Sequence, residues 1–297
     1  MYKVVTAGSL AVAYEQTGPL DGWPVVLAHG FPYDVRAFDD VVKPLADEGA
    51  RVIVPYLRGY GPTRFLSQAT PRSGEQAALG TDLLALLDAL KIPEAGLAGF
   101  DWGGRAASVV AALWPDRVRY LVCANGYAIQ NIAAAGEPAL PEDEYRYWYQ
   151  FYFHGDRGQA GLTRHRRQLC KLLWTLWSPG WDFDDETFAS TAESFDNPDF
   201  VEVVIHSYRH RFGLVAGDRA LADVESQLAG QPRITVPTIT IDGEADGVVP
   251  ARDGSAFAAH FTSTYEHLRI PMAGHNLPQE SPAAFAEAVL RLHHDLG

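Results

Sequence analysis

Residues 99–104 read Gly99-Phe100-Asp101-Trp102-Gly103-Gly104, and this stretch decides the fold. The apolar run Ala95-Gly96-Leu97-Ala98 before it predicts a buried strand, and the alanine-rich segment from Arg105 to Leu113 after it predicts a helix. Small residues on both sides of Asp101 permit a sharp strand-to-helix turn, where a Cβ would clash. Such an elbow lifts one side chain above the end of a sheet, beside the amides that open a helix. A serine there would attack an acyl carbon. A carboxylate suits an sp3 carbon bearing a leaving group, and with a reference pKa of about 4 it needs no base for its first attack. The competing reading of Asp101 is a helix N-cap, common before any helix.

The segments around the elbow repeat one pattern. Residues 3–7 and 11–17 read as an opening antiparallel pair. Pro24 to Ala28, Arg51 to Pro55, Ala95 to Phe100 and Val118 to Ala124 read as buried strands, with helices near 36–47, 77–91 and 102–114 between them. Strand, helix, strand at this spacing predicts a parallel sheet covered on both faces, an α/β fold. From about Gln130 to Gly230 the chain turns helical and aromatic, with Asn197-Pro198 marking a helix start as N-cap and N1. Strand signals return at Ile234 to Ile241 and Tyr265 to Ile270. A helical block between two parts of one sheet reads as a lid.

Bulk properties exclude several classes. The chain has 297 residues, enough for one large core with an insertion, and a formal net charge of -13. That charge argues against nucleic acid and anionic membrane surfaces as partners. Two isolated cysteines, Cys123 and Cys170, argue against a disulfide scaffold or a cysteine metal site. The N-terminus lacks a signal-peptide pattern and no stretch is apolar enough to span a membrane, so a cytoplasmic protein is expected. A homodimer is left open.

In such a sheet, chemistry belongs in the loops after the carboxyl ends of strands. Four loops there carry it: His29-Gly30-Phe31-Pro32-Tyr33-Asp34, the elbow, Asp242-Gly243-Glu244-Ala245-Asp246-Gly247-Val248-Val249-Pro250, and Ala273-Gly274-His275-Asn276. The chain order is nucleophile, acid, base, which is the α/β-hydrolase order. Four loops in matching positions outweigh the N-cap reading of Asp101.

These residues carry a resemblance. HGFP at 29–32, RGYGPT at 58–63, DWGG at 101–104, GEAD at 243–246 and GH at 274–275 resemble the soluble epoxide hydrolases of the α/β-hydrolase fold, over essentially the whole chain. The resemblance implies a mostly parallel sheet flanked by helices, with a core of residues 1–127 and 232–297 and a helical cap at 128–231. It implies Asp101 as nucleophile, His275 as base and Asp246 as its acid. Asp242 and Glu244 are the other acids of that loop. Two cap tyrosines, Tyr149 and Tyr208, would face the nucleophile; Tyr145, Tyr147 and Tyr152 are neighbours that packing alone could explain. Phe31, Pro32 and Trp102 would line the substrate site, with the backbone N–H groups of Phe31 and Trp102 as oxyanion donors and a cis bond before Pro32 as a common family feature.

The reaction so implied adds water to a small-molecule epoxide to give a vicinal diol, with no metal and no organic cofactor. Phe100 stands where the family usually has histidine, and Asn276 where an aromatic is common. Trp174, Trp177 and Trp181 read as cap core, and Arg164, Arg166, Arg167 and Lys171 as a solvated helix face. The alternatives are a haloalkane or haloacetate dehalogenase on the same fold, and a ligand-binding hydrolase-fold protein without catalysis.

Overall fold

The computed structural model describes residues 1–296. Its strands are β1 (Lys3–Ala7), β2 (Leu10–Thr17), β3 (Trp23–Ala28), β4 (Ala50–Pro55), β5 (Arg64–Phe65), β6 (Ala95–Gly99), β7 (Val118–Ala124), β8 (Thr238–Gly243) and β9 (Tyr265–Ile270). They form one sheet in the order β1-β2-β4-β3-β6-β7-β8-β9, with β5 pairing β2. β1, β2 and β5 pair antiparallel, as does β2 with β4; every pair from β4 to β9 is parallel. The central strands owe their place to their side chains. Val25, Val26 and Leu27 of β3, Leu97 and Ala98 of β6, and Leu121 and Val122 of β7 are all buried, because helices cover both faces.

The core helices are α1 (Asp39–Asp47), α2 (Gln76–Ala89) and α3 (Asp101–Leu113). Between β7 and β8 lie α4 (Pro141–Arg146), α5 (Trp148–His154), α6 (Asp156–Trp177), α7 (Asp185–Ala192), α8 (Phe200–His210) and α9 (Ala222–Ala229). The chain closes with α10 (Ser255–Ala258), α11 (Leu277–Glu280) and α12 (Pro282–Asp295). No described helix is long and apolar enough to cross a membrane.

One expectation needs correction and one needs refinement. The apolar segment from Ile234 does not join the ladder until Thr238; Ile234 makes only an isolated bridge to Phe261. Pro237 lacks an N–H, so regular pairing starts after it. Regular α8 starts at Phe200, two residues after the expected Asn197-Pro198 start, and Asp199 makes no side-chain capping bond. Asn197 supplies the cap as expected, and more. Its Oδ1 accepts from the Asp199 N–H at 2.8 Å, while its Nδ2 donates to the Gly61 and Thr63 carbonyls at 3.0 and 2.7 Å.

Those last bonds tie the helical insertion to the sheet. Trp174 Nε1 donates to the Pro32 carbonyl at 2.9 Å, and Ser194 Oγ donates to Asp34 at 2.5 Å. The Arg72–Asp199 ion pair, 2.9 Å and largely buried, adds a charged link. The insertion is therefore tied to the loops that follow the carboxyl ends of β3 and β4.

Close packing of α3 on β3 explains one glycine. A Cβ on Gly103 would lie 1.9 Å from the Ala28 carbonyl oxygen and 2.2 Å from its carbon. Backbone at both contacts leaves nothing cheap to move. Gly103→Ala is expected to lower unfolding free energy by about 1–3 kcal/mol or more, the usual cost of overpacking. Urea denaturation measures it; an unchanged midpoint would disprove the contact.

Candidate active site

At the elbow, Asp101 has φ of 49°, left-handed for a residue with a Cβ. Such a conformation costs on the order of 1–3 kcal/mol and persists only where the surroundings enforce it. They do so here. Phe100, in extended conformation, is the N-cap of α3, and Asp101 is the first helical residue. The Asp101 carboxylate makes no capping bond; its Oδ1 accepts from the Phe31 N–H at 2.7 Å. The N-cap reading of Asp101 therefore does not hold. Gly30 makes the approach feasible, since a Cβ there would fall 2.4 Å from both Asp101 Cβ and Oδ1.

The loop opposite is held by a buried histidine. His29 Nε2 accepts from the Leu57 N–H at 3.2 Å, and Nδ1–H faces the Gly30 carbonyl at 3.1 Å. Burial pushes its pKa down to about 4, so the ring is neutral and serves as a fixed strut. The Phe31–Pro32 bond that follows is cis.

His275 completes the constellation. Its Nδ1 lies 2.7 Å from Asp246 Oδ2, and its Nε2 lies 3.6 Å from Asp101 Oδ2. Asp246 is held by further bonds: Oδ1 accepts from the Val248 and Val249 N–H groups, both at 2.8 Å, and Oδ2 from Asn125 Nδ2 at 3.2 Å. The other acids of that loop are engaged elsewhere. Asp242 accepts from Arg252 N–H at 3.0 Å and sits 3.6 Å from His267, while Glu244 pairs with Arg269 at 3.0 Å. The loop of His275 is pinned by Glu280, whose carboxylate accepts from the Gly274 and Asn276 N–H groups at 2.7 and 3.0 Å.

Electrostatics follow from this geometry. Burial opposes charge on His275, but the Asp246 charge, then Asp101, overrides it and raises the imidazole to about 10. Burial would also raise Asp101, yet its pKa is lowered, by His275 first and then by Arg105 and the Phe31 amide. The resting pair is thus carboxylate and imidazolium. His275 sits above its ordinary value of about 6.5, so its contribution to stability is full below that pH and is lost as pH rises through about 10. Asp101 works in the opposite sense: its contribution is present above the ordinary carboxylate value and lost on acidification. In Asp246→Asn the His275 resonances should titrate well below the wild-type value in an NMR pH series. An unmoved titration would remove Asp246 as the orienting charge.

Above these groups stand α5 and α8. Tyr149 and Tyr208 are both buried, with ring centroids 5.4 Å apart. Gln150 Nε2 donates to the Tyr149 hydroxyl at 3.1 Å, whereas the Tyr208 hydroxyl has no protein partner. Burial, and to a smaller extent the Asp101 charge, pushes both phenols above their ordinary range, so both hold protons. Phe31 packs against Tyr208 at 5.4 Å and Trp102 at 5.8 Å, and all three rings are fully buried, outside the cavity lining.

A cavity of about 810 Å³ opens onto Asp101, His275 and Tyr149. Sequence reading missed part of its surroundings. Trp177 was expected in the core of the insertion, but its ring lies 5.2 Å from His275 and 4.9 Å from Tyr149, and its carbonyl accepts the His275 N–H at 3.2 Å. Trp174 and Trp181 do stack, at 5.4 Å, but Trp174 also stacks on Tyr33 at 5.1 Å and so lies on the seam between the insertion and the sheet. The basic face of α6 is less free than expected, since Arg167 pairs with Asp196, Lys171 with Asp185, and Arg166 reaches the Phe195 carbonyl. Arg105 and Arg211 also line the cavity. Arg105 could have been found, because it lies four residues after Asp101, one helical turn along the same face.

Comparison with known proteins gives the family. Residues 24–282 match the family described by the alpha/beta hydrolase fold. The chain belongs to that family. A crystal structure of a candidate epoxide hydrolase from Klebsiella pneumoniae subsp. pneumoniae MGH 78578 is 48% identical, with a TM-score of 0.97 over 99% of this chain and 97% of that one. An epoxide hydrolase of Caballeronia sordidicola is 38% identical over 121 residues, 40% of this chain and 34% of that protein. A haloalkane dehalogenase of Mycolicibacterium paratuberculosis is 34% identical over 122 residues, 40% of this chain and 38% of that protein. With these last two the chain shares little more than a third of the relative's length. The chain is an epoxide-hydrolase-like α/β hydrolase.

Proposed function

We propose that this hydrolase opens epoxides to vicinal diols through a covalent Asp101 ester, with residues 128–231 acting as a cap over a core of 1–127 and 232–297. The observation that carries the reading is the pair of buried, protonated tyrosines, Tyr149 and Tyr208, over an ionised elbow carboxylate. An oxirane needs both a nucleophile and a proton for its departing oxygen.

Asp101 Oδ1 is occupied by the Phe31 amide, so Oδ2 is the oxygen free to attack. It bonds to a ring carbon as the C–O bond of the oxirane breaks. The alkoxide takes a proton from Tyr149 or Tyr208. Esterification removes the Asp101 charge, one of the groups that raise His275. The imidazolium then gives up its proton, restoring the phenol, and becomes the base. Neutral His275 draws a proton from water, whose oxygen attacks Cγ of Asp101. The oxyanion forms on Oδ1, where the Phe31 amide already donates, and the Trp102 amide is its second donor. Collapse breaks the bond between Cγ and the ester oxygen. The diol leaves with that oxygen and the imidazolium proton.

In single turnover with 18O-labelled water, the label is expected in Asp101 and the diol is expected to carry unlabelled oxygen. Peptide and product mass spectrometry read both. Label appearing in the diol on the first turnover would overturn the ester route. Dehalogenation is the second reading, favoured by the dehalogenase relative. Halide release without epoxide opening would establish it.

A further inference from the structure

Arg105 and Arg211 differ from the other buried arginines. Arg58 pairs with Asp82 at 2.6 Å and Arg72 with Asp199 at 2.9 Å. No carboxylate of the described residues pairs with Arg105 or Arg211, although the chain carries 37 acidic residues against 24 basic ones. Arg105 donates once, from Nε to the Ala128 carbonyl at 3.3 Å. Arg211 has Nε and Nη2 buried without a partner, and its guanidinium carbon lies 4.2 Å from the centroid of the Tyr208 ring. Both line the cavity that holds Asp101, Tyr149 and His275. They are near enough that the Arg211 charge, after burial, helps lower Arg105 to about 10.

Arg211, half-buried with orphan donors, and Arg105, half-buried with a single hydrogen bond, face one cavity and are costly without an anion. Asp101 supplies one negative charge, but His275 already pairs with it at 3.6 Å. Arg211 is not among the main groups acting on Asp101. Of the acids on the cavity wall, Glu144 accepts from the Ala139 N–H at 2.7 Å and Glu137 is exposed. The donors remain free for something that enters. Arginine's planar fork suits an oxyanion such as a carboxylate or phosphonate.

We infer that Arg105 and Arg211 hold an oxyanion group of the substrate, so that the preferred substrates are epoxides bearing an acid. The inference rests on the epoxide reading above. The anion would neutralise the pair and place the oxirane carbon over Asp101 Oδ2, under the phenols.

The test compares kcat/KM for oxirane-2-carboxylate, 2,3-epoxypropylphosphonate and the neutral oxirane-2-carboxamide. At least one acid is expected to exceed the amide about tenfold or more at low salt, with the advantage shrinking as salt rises. Which acid leads identifies the oxyanion. In Arg105→Gln, Arg211→Gln the ratio should fall towards one, mainly through KM. A wild-type preference for the amide, or a ratio unchanged in the double variant, would overturn the inference. Calorimetry with cyclopropanecarboxylate, which cannot react, separates the two readings. If it binds wild type but not the double variant while no epoxide is opened, the anion site stands and the epoxide reading falls. If neutral epoxides turn over while neither acid is preferred and cyclopropanecarboxylate does not bind, the reverse holds.

Discussion

In His275→Gln, turnover should stop after one alkylation, leaving protein heavier by one substrate. Alkylation needs an ionised Asp101 and a proton donor, and neither is His275. Hydrolysis needs a base within reach of a water over Cγ, and the glutamine amide cannot take that proton. Loss of a general base typically costs about 100- to 10,000-fold, so steady-state rates should fall by at least that lower figure. The ester should accumulate to nearly one per protein, visible by intact-protein mass spectrometry. Asp101 loses its imidazolium partner in this variant, and its pKa should rise towards the ordinary carboxylate range. Alkylation in the variant should then weaken on acidification at a higher pH than in wild type. Normal turnover with no adduct would remove His275 from the base role. Loss of both turnover and adduct, with the fold intact, would point to a role for His275 in the first half-reaction.

The elbow was legible because its constraint is local. A chain that turns from strand to helix within two residues must be small there, and Gly103 against the Ala28 carbonyl shows why. The places of Asp246 and His275 were legible because each follows a strand whose apolar residues mark its end, after β8 and β9. The start of β8 was not, since periodicity counts the apolar residues before Pro237 and does not register its missing N–H. The insertion was harder for a different reason. Its helices bury aromatic residues on several faces at once, so a tryptophan facing His275 and one facing Trp181 look alike in sequence. The cap at Asn197 was legible, but its further bonds to the carbonyls of residues 61 and 63 were not, a partnership no local pattern encodes.

Replacing both Tyr149 and Tyr208 with phenylalanine should nearly abolish epoxide turnover while leaving hydrolysis of a preformed Asp101 ester largely intact. The two rings are 5.4 Å apart and buried over the elbow, so either hydroxyl can serve a departing oxygen while the other donates a hydrogen bond. Single substitutions are expected to lose less than the double, because the remaining phenol still carries a proton. Their losses should differ. Tyr149 lines the cavity and already accepts a bond from Gln150 that orients its hydroxyl, whereas the Tyr208 hydroxyl is buried without a partner behind it. With both gone, the alkoxide has no acid, and alkylation should slow at least about 100-fold, the lower end of general-acid assistance. Rapid-quench measurement of Asp101 alkylation isolates that step from hydrolysis. Halide departs as a stable anion, so a dehalogenase would not depend on a phenolic proton. Wild-type epoxide opening by the double variant would show that the tyrosines are packing. Halide release with no epoxide opening by the unmodified protein would transfer the same elbow, acid and base to dehalogenation.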